Sequence, residues 1–289
     1  MLIINENSLL PVATTKRTKN LELGLECDRH GYTIVNHQYT AYPLGISRTF
    51  RSDLANPHHA NLYITSTSPG LLANDQLNIS LELAANTHLH LSDQSATKVH
   101  PMPITGTKAI VNYDIEIGEG ATLEFVPEPI ILFQDATFEQ TTSIKCHPKG
   151  KLFWSEIIVP GRLARGEFYE FHHYFNSLQV TSPEGELWFT DAMRLQGKLN
   201  SFKNNDLFAP APILGNLVII LPQINLQLLS ENLENIEGIN CLGVMLASSC
   251  LPQGKGLVIK AIATGTRELK NYLLYALNCV RNFEEKSQS

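Results

Sequence analysis

Leu81–Leu91 (LELAANTHLHL), Ile115–Phe125 (IEIGEGATLEF) and Ile144–Trp154 (IKCHPKGKLFW) are three copies of one pattern. Each runs apolar, polar, apolar, then four residues rich in Asn, Gly or Pro, then apolar residues at alternating positions. Period-two alternation marks a half-buried strand, and the central break predicts a hairpin-like reversal. The copies begin 34 and 29 residues apart (81 to 115, 115 to 144). Units of that size cannot bury their apolar faces alone, and stacking is how solenoid-like β proteins solve this. After the copies come Gln94–Lys98, Pro127-Glu128-Pro129, and the stretch from Glu156 to Arg162. If the rungs stack, those three segments lie near one another.

Working outward, Leu21, Leu23 and Leu25 alternate with polar residues and Gly, and Thr33-Ile34-Val35 reads as a return strand. Further β runs are expected at 59–67, 168–180 and 186–195. Helix signals come late. Ile224–Ile236 has roughly helical apolar spacing closed by Gly238, and Thr266–Phe283 carries the stripe Leu269, Leu273, Leu277, Val280. Cys241–Ala247 and Gly256–Ala263 read as a final strand pair. The expected class is all-β dominated, an elongated β-helix-like stack of sheets with two helices in the C-terminal part. Residues 1–20 are expected to be a poorly ordered segment. Residues 21–289 are expected to form a single domain, with the β stack over about 21–220 and the helical part over about 221–289.

The 289 residues are 43% hydrophobic and 17% charged, enough apolar matter for a substantial core and a charge content ordinary for a β-rich chain. The net charge of −6 argues against nucleic-acid binding, which needs a basic face. No stretch reads as a signal peptide or membrane span, so a soluble cytoplasmic protein is expected. Cys27, Cys146, Cys241, Cys250 and Cys279 are scattered and show no CxxC, which disfavours zinc fingers and disulfide frameworks.

Phosphate loops, GxSxG elbows and HExxH are absent, against nucleotide hydrolysis, α/β-hydrolase chemistry and zinc proteolysis. His88 and His90 share one strand face, opposite Leu89 and Leu91. They could hold a divalent metal weakly if a third ligand converged; ordinary surface histidines are the plainer alternative. Asp75, Glu128, Glu156, Glu167 and Asp191 fall at turns or strand ends. Paired carboxylates there suit acid–base work, as in glycosidases on β-helices, or a weak oxygen-rich path for a cation. Plain turn polarity is the alternative. A sugar-binding groove would need aromatics, and only Trp154 and Trp188 are on offer.

Four segments then resemble one family in order. Ser68-Pro-Gly-Leu-Leu-Ala-Asn-Asp75-Gln-Leu resembles the Pro-Gly-Gly-x-x-Gly-Gly-Asp-x-Leu motif of the UreD (UreH) urease accessory proteins. Gln94-Ser-Ala-Thr-Lys98 is similar to their QAATK segment, and Leu123–Phe133 to their LEWLPQETILF. Trp154-Ser-Glu156 through Gly161-Arg162 to Glu167 resembles their W-[ED]…GR-x-A-x-GE run. Ala73-Asn74 replaces the family's Gly-Gly, Val126 its aromatic, and Glu128 its Gln. The similarity spans about residues 20 to 200, with a weaker match in the last helix.

The resemblance implies a non-enzymatic protein of stacked β-sheets with two helices. It implies partners as well: a UreF-like protein, a UreG-like GTPase and apo-urease, with Ni²⁺ passing transiently and no cofactor held permanently. By match to the motifs, Asp75, Thr97, Lys98, Glu156, Arg162 and Asp191 are the residues expected to line a wet conduit or couple it to partners. Lys98 is expected to pair with one of the acids, and Arg162 to anchor its turn. The rival within this reading is a buried salt-bridge cluster that only fixes loops. Outside it stand a β-helix carbohydrate-active enzyme using two carboxylates, and a generic β interaction module.

Overall fold

The computed structural model describes residues 18–52, 56–222, 224–236 and 239–288. Nearly all of the segment expected to be poorly ordered, residues 1–17, lies outside the described residues, as does Gly238. The three sequence copies become three strand pairs: β5 (Gln76–Leu83) with β6 (His88–Asp93), β8 (Ala109–Ile117) with β9 (Thr122–Phe125), and β11 (Thr137–Cys146) with β12 (Lys151–Val159). They stack in parallel and in the register of the repeat. Leu81 opposes Ile115, which opposes Ile144; Leu89 opposes Leu123, which opposes Leu152.

The expected hairpin reversal does not occur. β5 pairs with β8 and not with β6, so each four-residue break is a corner carrying the chain from one sheet to another. Each corner closes on itself, as Gly150 N–H does onto His147 O at 2.7 Å, and also hydrogen-bonds to the next: Gly118 N–H donates to Leu83 O at 2.8 Å and His147 N–H to Ile117 O at 2.8 Å. Asn86 (φ 59°) and Gly120 (φ 67°) supply the left-handed residue that two of these corners need.

One sheet runs β14-β13-β11-β8-β5-β1-β2, where β1 is Leu21–Cys27, β2 Thr33–Thr40, β13 His173–Thr181 and β14 Leu187–Leu195. The second runs β16-β17-β15-β12-β9-β6-β4-β3, where β3 is Leu44–Ile46, β4 Ala60–Ser66, β15 Ile213–Ile220, β16 Val244–Cys250 and β17 Gly256–Ala263. Two short strands, β7 (Thr97–Val99) and β10 (Ile130–Leu132), pair with each other, and β10 also with β12. The three segments that follow the copies are therefore neighbours. Both sheets are mixed and neither closes on itself. The molecule is a strand-dominated stack of two open sheets, and a closed β-helix is not formed. In the part expected to contain the helices, β16 and β17 extend the second sheet through β15.

Two helices follow, α1 (Leu226–Glu234) and α2 (Thr266–Gln288). α1 is shorter than expected because Asn225 caps it, its side chain accepting from Leu228 N–H at 3.1 Å. α2 runs beyond Phe283, where Glu284 meets Lys151 at 3.4 Å. Both helices cover the outer face of the second sheet. Phe153, Ile157, Leu217 and Ile219 pack there against Leu229, Leu269, Leu273 and Leu277, while Trp154, Ile158, Leu214 and Val218 face the first sheet. β15 reads ILGNLVII, a nearly unbroken apolar run, because both its faces are covered. Among the described residues no element covers the outer face of β11, which alternates accordingly. Among the described residues, no helix is long and apolar enough to cross a membrane.

Candidate functional site

In several strands a polar residue interrupts an apolar stripe that faces the space between the sheets. β12 presents Leu152, Trp154, Glu156, Ile158; β15 presents Leu214, Asn216, Val218, Ile220; β11 presents Gln140 between Phe138 and Thr142, and β13 presents Asn176 between Tyr174 and Leu178. Glu156 opposes Asn216, and Gln140 opposes Asn176. Stacking thus gathers four polar side chains at one level of an apolar interior.

Gln140 Nε2 donates to Glu156 Oε1 at 2.5 Å. Asn176 Nδ2 and Asn216 Nδ2 donate to Oε2 at 2.6 and 3.4 Å. Glu156 is 3% exposed, and burial raises its pKa while these amides partly offset the rise. Nearby on the same strands, Thr142 Oγ1 and Asn216 Oδ1 are buried without a hydrogen-bond partner among the described residues. Polar atoms of this kind are ordinarily satisfied by ordered water where room exists.

Room exists beside Glu156 and Gln140. A cavity of about 170 Å³ lies between the sheets, bordered by Asp93, Thr97, Lys98, Tyr113, Glu128 and Glu156 among others. Asp93 continues the inward face of β6 after Leu89 and Leu91. It borders the cavity and so keeps some surface, yet the protein around it is dense. Burial, reinforced by the Glu128 charge and opposed by a Glu128 backbone contact, pushes its carboxyl up to about 7. Glu128 is ion-paired with Lys270 of α2. The rim is shaped by Gly70 (φ 153°), where an added Cβ would stand 2.3 Å from Lys98 O.

Of the residues singled out in the sequence, Thr97, Lys98 and Glu156 meet at this cavity. Asp75 does not border it: its Oδ2 accepts from Leu72 N–H at 2.7 Å, holding the turn next to the rim. Asn74 there takes the left-handed backbone (φ 69°), at a position where the related motif carries Gly. Arg162 lies away from the cavity, forked onto Glu167 and 4.5 Å above the Phe133 ring. Asp191, on β14, is ion-paired with Lys260 of β17. The expected pairing of Lys98 with an acid is not found: among the described residues Lys98 makes no ion pair.

His88 and His90 do share a face, but it is the outer face of the second sheet. His88 stacks on His59 at 4.8 Å and reaches Thr122 Oγ1 at 3.1 Å. Burial, with the charges of His59 and Lys151, lowers its pKa to about 4. His90 Nδ1 lies 3.0 Å from Glu124, which also takes two hydrogen bonds from Arg281 of α2. Burial disfavours the Glu124 charge, yet Arg281 and His90 hold its carboxyl at about 2. Among the described residues, no group of three or more His, Cys, Asp or Glu is placed to hold a metal.

The family model described as UreD urease accessory protein matches residues 17–288. A Trichodesmium erythraeum protein named urease accessory protein UreD is 53% identical over 270 residues, 93% of this chain and 97% of its own length. A Haloarcula marismortui protein of the same name is 31% identical over 84% of this chain and 79% of its own. A Helicobacter pylori protein named urease accessory protein UreH is 28% identical over 89% of this chain and 92% of its own.

Proposed function

Because the chain belongs to the UreD urease accessory protein family, we propose that it is a non-catalytic scaffold through which Ni²⁺ passes to apo-urease. On this reading it works in the cytoplasm, joined to a UreF-like protein and a UreG-like GTPase, and holds no permanent cofactor. The observation that carries the conduit reading is the cavity between the sheets. Of its carboxylates, Glu156 is buried and Asp93 half-buried, and neither has a cationic partner among the described residues.

The donor chemistry supports transit over storage. Ni²⁺ stands high in the affinity order for nitrogen and sulfur ligands, and a complete soft set would trap it. Glu156 offers one carboxylate set among neutral amides, and Asp93 another two strand pairs away. Each would take a hydrated ion through one or two oxygens and release it. Thr97 and Lys98 stand at the rim, where Lys98 opposes permanent occupation by charge. On this reading Asp75 holds the turn next to the entrance, while Arg162 and Glu167 fix a turn away from it.

A sugar-processing site fits poorly. Trp154 and Trp188 are 0% and 5% exposed, so neither is available to stack on a sugar in an open groove.

Deleting the chain should leave urease folded and nickel-poor; full nickel loading at limiting nickel would sink the proposal. Glu156→Gln and Asp93→Asn should still assemble with the partners and lower the nickel content of urease severalfold, read by elemental analysis of the purified enzyme.

A further inference from the structure

A second hollow, of about 440 Å³, shares no lining residue with the cavity between the sheets. Its walls come from the β1–β2 turn, residues 56–59, β6, the start of β12 and the end of α2. Five basic side chains line it, His58, His59, His88, Lys151 and Arg281, with one acid, Glu284. The rings are fixed by their own network. Arg51 donates to the carbonyls of Pro57 and His59 at 2.9 Å each and of Thr33 at 2.8 Å, and stands 5.0 Å from the Tyr32 ring. Tyr32 packs in turn on the His58 ring at 4.7 Å. His88 N–H donates to Thr33 Oγ1 at 2.8 Å. Its Nδ1 meets Thr122 Oγ1, which leaves Nε2 as the ring nitrogen for a ligand, and His59 stacks on the same ring.

Charge decides what such a hollow would take. Lys151 meets Glu284 at 3.4 Å, their side chains 20% and 17% exposed. Arg281 forks onto Glu124, which does not line the hollow. Those four charges cancel, so the three imidazoles set the sign. Burial, then the charges of His59, Lys151 and His58, keep His88 from taking a proton, against the pull of Glu124. Burial likewise disfavours the charge of Glu284; Glu124 adds to this, while Lys151 and Arg281 oppose it. An anion among these groups reverses the first balance and reinforces the second. It favours protonated rings and a neutral Glu284, and both changes make the hollow more positive. A cation has no such answer here, since no three His, Cys, Asp or Glu among the described residues converge as metal ligands.

We propose that this hollow binds a phosphate group, free or carried on a small monoester, and that protons enter with it. Ammonium, guanidinium and imidazolium donors suit phosphate oxygens, because hydrogen bonds from charged donors to them are short and strong. A hollow of about 440 Å³ is larger than a bare phosphate fills, which leaves room for the organic part of an ester. The site stands apart from nickel passage: its residues do not border the cavity between the sheets, so either function can fail without the other.

The test titrates the purified full chain calorimetrically, at constant ionic strength, with inorganic phosphate, glycerol phosphate and sulfate. Sulfate stays doubly charged between about pH 8 and about pH 6, so its pH dependence reports the protein's protons alone. It should bind more tightly at the lower pH, with a heat that varies with the buffer's ionisation enthalpy. Affinity for glycerol phosphate above that for inorganic phosphate would make the ligand a monoester, and the reverse order would make it the free anion. His59→Asn and Lys151→Met should weaken binding about tenfold, while Lys149→Met, on an exposed corner, should not change it. Glu284→Gln should tighten binding severalfold, a gain that a misfolded chain cannot give. Equal affinities in Lys149→Met and Lys151→Met, with no gain in Glu284→Gln, would mean general surface attraction and overturn the site. Affinity for sulfate that is flat across this pH range would overturn the proton uptake. If Ni²⁺ alone moves the His59 and His88 ring resonances and phosphate leaves them in place, the anion site is overturned in favour of a metal.

Discussion

At Glu156 one side chain is answered by three amides, which makes its replacements informative. Glu156→Ala would leave Gln140, Asn176 and Asn216 facing an apolar hole and should cost about 2–4 kcal/mol by urea denaturation, whereas Glu156→Gln keeps the partners and should cost less than half as much. Glu124 gives a pH prediction. Its folded pKa of about 2 is below its ordinary 4.5, so its ion pair stabilises the fold above about pH 4.5, and this contribution fades as pH falls toward 2. Arg281→Met should therefore destabilise the chain by about 3 kcal/mol at pH 7, and the gap to the parent should narrow on acidification. A gap constant from pH 7 to 3 would refute this. The sequence held more of this site than its motifs. Asn176 and Asn216 each break an apolar period-two stripe, while Asp93 ends one and Gln140 follows Phe138 on another, and these changes were readable. What was not readable was which breaks would meet, because that depends on corners and register and not on any one strand. For the same reason Asp75 and Arg162 matched motifs yet stand off the cavity. Their motifs encode turns, which hold a site without forming its lining.

At the scale of the element, α2 shows how one stripe settles a helix's place. Leu269, Leu273, Leu277 and Val280 are 0–5% exposed and lie on the outer face of the second sheet. Leu273→Ala should cost about 2–5 kcal/mol, measured by chemical denaturation. An unchanged midpoint would mean that this stripe does not carry the helix. The stripe was legible from its spacing; the sheet it would cover was not. Corners misled in the opposite direction. Asn86 and Gly120 are residues that hairpins favour, and a left-handed residue serves a corner between sheets equally well. Only the parallel partner 29 or 34 residues away distinguishes the two, and local sequence does not name that partner. The final strand pair, β16 and β17, was legible because its two apolar runs are bounded by Gly243 and Gly256.

For the molecule as a whole, the second sheet belongs to two cores at once, one shared with the first sheet and one with the helices. β12 and β15 cannot lose one core without exposing a face. Unfolding should accordingly be a single transition: fluorescence of Trp154, in the inner core, and helical ellipticity from α2, over the outer core, should share one midpoint in urea. Two separated midpoints would show that the helical layer is an independent unit. The far-ultraviolet spectrum should be dominated by β structure. The repeat itself was the most legible feature of the chain, since its copies stack in the register in which they align. That registration has a further consequence for how such a chain can change in length. Each corner passes its hydrogen bonds to the corner above, so a residue inserted within a rung would throw every later pairing out of step. The segments 94–108 and 126–136, which lead from one rung to the next, differ in length at no cost to the ladder. Growth or loss over time is thus confined to those connecting segments or to whole turns, and the molecule lengthens in steps the way a spiral staircase does, never by part of a tread.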